Sequence, residues 1–111
     1  MYDCMQRINI KNLTKDTLTN IELTHDGEGA YKKAKVKRLE KNENIEVSLY
    51  TLKVHNTCNL ILTYTYKDLS NTVVVYDKLS GKDLTFITVE IKEEAGKISF
   101  NVIADNELWK Y

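Results

Sequence analysis

Apolar and polar residues alternate with a period of two along most of this chain, and this alternation restricts what the chain can fold into. Successive side chains of a β-strand point to opposite faces of a sheet, so each alternating run predicts a strand with one buried and one solvated face. The alternating positions are Ile8 and Ile10; Ile21 and Leu23; Ala34 and Val36; Ile45, Val47 and Leu49; Leu60, Leu62, Tyr64 and Tyr66; Ile87, Val89 and Ile91; and Ile98, Phe100 and Val102.

Short polar segments separate these runs, and they are rich in Asn, Asp and Gly, which accept the left-handed backbone of tight turns. They fall at residues 14–16, 26–29, 40–44, 68–71, 79–83 and 93–96. The segment at 68–71 predicts a hairpin between two strong strands. This spacing, with almost no helical pattern, is typical of a β-sandwich or small barrel.

Part of the first fifty residues resembles a known family. Residues 8–14 read INIKNLT, residues 18–23 read LTNIEL and residues 39–47 read LEKNENIEV. This layout resembles the opening of bacterial immunoglobulin-like modules of the CARDB-like and FxLYD-like types. In those modules a strand ends in Asn-x-Thr, the second strand begins Leu-x-Asn-Val, and a Leu-x-Pro-Gly-Glu turn precedes the fourth strand. Here Lys41 and Asn42 replace the Pro and Gly of that turn. The resemblance implies a binding or adhesive role and no catalytic residues.

We therefore predict an all-β fold, an antiparallel immunoglobulin-like sandwich of about seven to nine strands. The length of 111 residues fits one domain that spans residues 1–111. There is no signal peptide pattern and no apolar run near the ~20 residues that cross a membrane, so we expect a cytoplasmic protein without membrane contact. Lys, Asn, Ile and Tyr have A/T-rich codons, and their abundance indicates a bacterial or phage source.

Acidic and basic residues balance at 16 each, which argues against a dedicated nucleic-acid binder. A local basic segment nevertheless covers Lys32 to Lys41. Its members Lys33, Lys35 and Lys37 share one face of a predicted strand and recur about every 7 Å. One interpretation is an edge strand whose lysines prevent pairing with other chains. The alternative is binding of an anion or nucleic acid through these three lysines.

Histidine and cysteine supply a second candidate site. His55 and Cys58 are close enough in sequence to share a metal ion, but a structural zinc site needs four ligands, and His25 with Asp26 is the nearest further supply. A Cys–His nucleophile would need a third group that orients the base. We predict no metal, no cofactor and no catalytic residue, and keep a metal protein or enzyme built on His55 and Cys58 as an alternative. Pairing between Cys4 and Cys58 stays open.

Aromatic residues supply the third candidate site. Tyr64 and Tyr66 continue an apolar face and are expected to cap the core, while Tyr76 is expected to pair with one of them across the hairpin. Trp109 and Tyr111 either fold back on the sandwich or dock on a partner, as Trp and Tyr dominate interface hot spots. We predict a non-catalytic binding module that recognises another macromolecule, foremost a protein, with Trp109, Tyr111 and Tyr76 as candidate contacts. The oligomeric state stays open.

Overall fold

The computed structural model describes residues 5–28, 33–51, 54, 56–80 and 86–105. No helix in this part of the chain is long and apolar enough to cross a membrane. The strands of the described residues are β1 (Met5–Leu13), β2 (Leu18–His25), β3 (Ala34–Leu39), β4 (Asn44–Tyr50), β5 (Cys58–Tyr66), β6 (Leu69–Leu79), β7 (Phe86–Glu94) and β8 (Lys97–Asp105).

The strands form two sheets that pack face to face, which confirms the predicted β-sandwich. One sheet has the order β4-β1-β7-β8 and is called the β1 sheet, and the other has the order β3-β2-β5-β6 and is called the β2 sheet. All neighbouring strands are antiparallel except β1 and β7, which run parallel. The alternating runs therefore predict seven of the eight strands of the described residues and most of their inward side chains; β6 has no such run, and Ile45 of β4 is 37% exposed.

The strand order does not confirm the predicted immunoglobulin-like topology. In a constant-type immunoglobulin domain the first two strands are neighbours in one sheet. Here β1 and β2 lie in opposite sheets, and β1 lies between β4 and β7. Alternation predicts which face of a strand is buried but not which strand lies beside it, because any strand with a matching face can fill the place.

The core consists of the inward residues of both sheets. Leu62 is fully buried, and Tyr64 and Tyr66 continue its face at 4% and 7% exposure, as predicted. The ring of Tyr64 meets the ring of Phe100 edge to face across the two sheets, at 5.8 Å and 67°. Burial of such apolar area is the dominant favourable contribution to the free energy of folding. The fully buried aliphatic residues include Ile8, Leu18, Leu23, Leu60, Leu62, Ile87, Val89 and Ile91.

A β-bulge in β2 interrupts the alternation. Asn20 has a positive φ of 50°, and the register between β2 and β5 shifts between Thr19 and Glu22. Asn tolerates this left-handed conformation better than most residues. In a regular strand Leu18 and Ile21, three positions apart, would point to opposite faces. The extra residue of the bulge lets both point into the core.

A buried polar centre closes one end of the sandwich. Asn12 is completely buried, and its amide donates hydrogen bonds of 2.9 Å to the carbonyls of Asp16 and Leu39. Its side-chain oxygen accepts bonds from the backbone N–H and the hydroxyl of Thr14, at 2.9 and 2.6 Å. Asn12 and Thr14 are the Asn and Thr of the Asn-x-Thr strand ending. They fix the connection that carries the chain from the β1 sheet to the β2 sheet.

Candidate binding surfaces

The basic strand is an edge strand, as its lysines predict. Within the described residues β3 pairs only with β2. Lys33, Lys35 and Lys37 are all exposed, whereas Val36 between them is buried. The lysines thus point away from the core along a free strand edge, where charge discourages pairing with another chain.

Acidic neighbours neutralise part of this basic strand. The ammonium of Lys33 lies 3.3 Å from the carboxylate of Glu22, and the register places Lys35 directly opposite Glu22 as well. Arg38 forms an ion pair with Glu40. This charge balance weakens the anion-binding alternative. Lys32, the first residue of the basic segment, lies outside the described residues.

Tyr76 does not pair with Tyr64 or Tyr66, so that prediction is wrong. The hairpin turn consists of Lys67 and Asp68, both with positive φ, and is tighter than the predicted segment 68–71. This turn fixes a register that places Tyr66 opposite Leu69 and Tyr76 opposite Leu60. Tyr76 is half-buried on β6 and packs against the core.

Several predicted site residues lie outside the described residues. These are Cys4, His55, Trp109 and Tyr111. A contact of Trp109 or Tyr111 with a partner, and a site that joins His55 to Cys58, therefore stay predictions.

The free thiol of Cys58 borders a cavity of about 160 Å³. Burial raises the pKa of the Cys58 thiol, and the nearby carboxylate of Asp26 raises it further. A thiol with a raised pKa stays protonated at neutral pH and is a poor nucleophile and metal ligand. The cavity is lined by Gly27, Glu28, Val54, Asn56, Thr57 and Cys58.

The neighbouring His25 and Asp26 form hydrogen bonds to other residues of the chain. The Nδ1 atom of His25 accepts a 3.1 Å hydrogen bond from the N–H of Gly27, so its Nε2 atom donates to the carbonyl of Tyr50 at 2.8 Å. Asp26 accepts bonds of 2.8 and 2.9 Å from the backbone and side chain of Asn59. Among the described residues no three His, Cys, Asp or Glu side chains come together to hold a metal ion.

The opposite side of the sandwich, formed by the edge strands β6 and β8, has charged residues only toward strand ends, at Asp77 and Lys78 of β6 and at Lys97 and Asp105 of β8. We call it the β6–β8 side. Residues 69–76 of β6 and residues 98–104 of β8 include no Lys, Arg, Asp, Glu or Pro. By contrast, β3 at the other side carries its exposed lysines, and β4 carries Glu46, which pairs with Arg7 at 3.1 Å. Edge strands without charge, proline or a covering element are templates for pairing with another chain.

The β6–β8 side is also incompletely closed. Most apolar residues of β6 and β8 that point toward the core are only half-buried, although Leu79 is buried. On the β3–β4 side Val36, Leu39 and Leu49 are buried, beside the half-buried Ala34 and Val47. Val74 and Ile103, on the outer faces of the same strands, are 52% and 47% exposed. The half-buried residues are Val73, Val75, Tyr76, Ile98, Phe100 and Val102.

Clusters of charged or aromatic residues, the patterns that predict the other candidate sites, do not mark this side in the sequence. The usable signal is an absence: the stretch between Lys97 and Asp105 has no charged residue, and apolar and polar side chains alternate from Ile98 to Val102. Such a strand at a sheet edge is unprotected.

The fold has a counterpart among solved structures. An NMR structure of a protein from Eubacterium rectale aligns with a TM-score of 0.60 at 22% sequence identity, over 88% of this chain and 87% of that chain. At this identity the likeness shows a common fold. No protein-family model matches the chain, and no curated protein matches it. None of these comparisons tests the resemblance to CARDB-like and FxLYD-like modules, which stays a prediction.

Proposed function

We propose that this domain is a non-catalytic binding module that accepts an extended protein segment at the β6–β8 side. The segment would add to the edge of β8 that pairs with no strand of the described residues, and it would continue the β1 sheet. Every second residue of an edge strand directs its N–H and C=O away from the sheet, so main-chain hydrogen bonds provide affinity. Tyr76, one of the predicted contacts, lies on β6 at this side.

The observation that carries this proposal is the coincidence of two features on one side of the sandwich. β8 has no charged residue between Lys97 and Asp105, and inward residues of this strand such as Phe100 and Val102 are half-buried. An added strand would place alternate side chains over these residues and would remove apolar surface from water. A partner protein supplies both a strand edge and apolar side chains, whereas a nucleic acid supplies neither.

Photo-crosslinking tests this function directly. A photoreactive amino acid is introduced in place of Ser99 or Ile103 on β8, and in place of Ser48 on β4 as the matched control on another edge strand. Cross-linked peptides from cells that make the protein are then sequenced by mass spectrometry. We expect the two β8 positions to label one partner segment at sites about four residues apart, because both chains are extended.

Two outcomes would contradict the proposal: labelling from Ser48 equal to that from β8, or scattered labelling with no common segment. The salt dependence of capture distinguishes this function from the alternative, anion binding by the lysines of β3. Loss of all capture on a modest rise in salt, together with sensitivity to Lys35→Glu, would favour anion binding.

A further inference from the structure

We infer that the segment accepted by β8 is β8 of a second copy of this chain, paired antiparallel about a two-fold axis at Asn101. This inference rests on the proposed function and names its partner. Two-fold symmetry brings the same strand of both copies together, so the strand must be complementary to itself. β8 meets this condition in its charges, its faces and its regularity.

The charges of β8 are self-complementary. Lys97 begins the strand and Asp105 ends it, and both are equally distant in sequence from Asn101 at its middle. Antiparallel pairing about Asn101 therefore places each copy's Lys97 opposite the other copy's Asp105. Opposite charges at directly opposed positions stabilise a sheet, while like charges destabilise it.

The faces of β8 match in the same register. Its pairing with β7 places Phe100 opposite the buried Ile91 and Val102 opposite the buried Val89, so both belong to the inner face. Pairing about Asn101 sets Phe100 of one copy opposite Val102 of the other. Shifting the register by one residue would place inner residues opposite outer ones. A shift by two residues still sets inner residues opposite inner residues, but it moves Lys97 away from Asp105 of the other copy. The pairing of these charges therefore selects the register about Asn101.

The ladder between β7 and β8 is regular throughout. It runs from Phe86 opposite Asp105 to Glu94 opposite Lys97 without a register shift. A regular strand can pair along its whole length, whereas bulges end pairing. β6 has register shifts around Leu60 of its partner strand.

The basic edge strand excludes the same arrangement. Antiparallel pairing of β3 with its own copy about Val36 would set Lys35 opposite Lys37. Like charges would then meet twice across the axis. Charge therefore favours self-association through β8 over β3, and pairing at β8 would also cover Phe100 and join the two β1 sheets into one continuous sheet.

Charge reversal tests the pairing. The dimer dissociation constant is measured by sedimentation velocity for the wild type, Lys97→Asp, Asp105→Lys and the double reversal. We expect a wild-type dimer, weakening of at least about tenfold in each single variant, and recovery in the double variant. Lys35→Asp on β3 is the matched control and should leave the dimer intact. Thermal unfolding of each variant at low concentration confirms that it folds.

Disulfide trapping tests the position of the axis. In a Cys4→Ser and Cys58→Ser background, Asn101→Cys places two thiols directly opposite, within about 5.5 Å between Cα atoms. That spacing suits a disulfide. Ser99→Cys, whose two copies would lie about 13 Å apart along the strands, is the control and should not cross-link.

The outcomes separate the inference from the function on which it rests. A wild-type chain that stays monomeric at high concentration, while photo-crosslinks at Ser99 still mark a different protein, overturns the second copy and leaves the binding function. A dimer indifferent to both charge reversals and unable to trap Asn101→Cys, with no labelling at Ser99, overturns both.

Discussion

The hydroxyl of Tyr66 donates a hydrogen bond to the carboxylate of Glu93, and this bond joins the two sheets. Both groups are nearly inaccessible: Tyr66 is 7% exposed and the side chain of Glu93 is 5% exposed. The backbone N–H of Lys15 donates to the same carboxylate at 3.2 Å, and the ammonium of Lys67 lies 3.9 Å away. The hydrogen bond from Tyr66, supported by these groups, holds the pKa of Glu93 below its usual range.

The hydrogen bond between Tyr66 and Glu93 predicts that the protein loses stability in acid. A carboxylate whose pKa is lower in the folded state adds stability that is complete above its unfolded-state pKa of about 4.3 and is lost as pH falls through its folded-state pKa. Tyr66→Phe removes the main cause, so this variant should lose less stability than the wild type between pH 7 and pH 3. Urea unfolding at both pH values measures the loss. Equal losses in the two proteins would contradict the role of the bond.

Replacement of Asn12 should weaken the end of the sandwich. Asn12→Ala leaves the carbonyl of Leu39 and the N–H of Thr14 without their side-chain partner. Each unsatisfied buried group costs about 1–3 kcal/mol, so the free energy of unfolding should fall by at least about 2 kcal/mol. Asn71→Ala, at an exposed position of β6, is the control and should change it by less than about 0.5 kcal/mol. Similar losses from both variants would argue against Asn12 as a structural centre.

Leu62 and Phe100 should differ in their contribution to stability. Leu62 is fully buried, so Leu62→Ala should cost about 2–5 kcal/mol. Phe100 is half-buried and keeps one ring contact with Tyr64, so Phe100→Ala should cost less, about 1–3 kcal/mol. Denaturant unfolding of dilute protein measures both. Near-wild-type stability of Leu62→Ala would refute the inward face of β5.

A side chain at Gly27 should strain the contact with Cys58. A Cβ atom on Gly27 would lie 3.0 Å from the sulfur and 3.1 Å from the Cβ atom of Cys58, and 3.1 Å from Cγ2 of Val54. Gly27→Ala should therefore destabilise the fold by about 1–3 kcal/mol. Cys58→Ala removes the sulfur, so the cost of Gly27→Ala should shrink in that background, and a double-mutant cycle measures the difference. An additive pair would show that the sulfur is not the obstacle.

Removal of edge charge should promote assembly. Lys35→Thr takes away an exposed lysine near the middle of β3 and should leave the stability of a single chain within about 0.5 kcal/mol. Because β3 lies at the edge remote from β8, the variant should form species larger than the wild type at high concentration. Light scattering over a concentration series detects them. An unchanged size distribution would mean that other features protect this edge.

The sequence predicts the strands, their faces and the edge position of the lysine strand, because alternation and charge are local properties. It does not predict the register between β5 and β6. That register depends on left-handed backbone at Lys67 and Asp68, which lack the Asn-Gly or Asp-Gly signature of such turns. Nor does it predict that Asn12 is buried, since a buried amide is recognised only when its partners are known.

The sequence likewise predicts one of the candidate surfaces and not the other. Lys33, Lys35 and Lys37 are exposed as predicted, because burial of a row of charged lysines would remove them from water at a high cost in free energy. The β6–β8 side escapes prediction because its two strands meet only in the folded chain. Within the described residues, the positions of both strands as sheet edges follow from the strand order, and alternation does not define that order.

The parallel pairing of β1 with β7 sets the order in which a growing chain can complete its sheets. β2, β3, β5 and β6 are all present once residue 79 has been made, whereas β1 gains its inner neighbour only with residues 86–94. On the ribosome, β1 emerges before the other described strands and is therefore among the last of them to be enclosed. We expect the β2 sheet to acquire protection from hydrogen exchange before the β1 sheet does, since contacts distant in sequence form late.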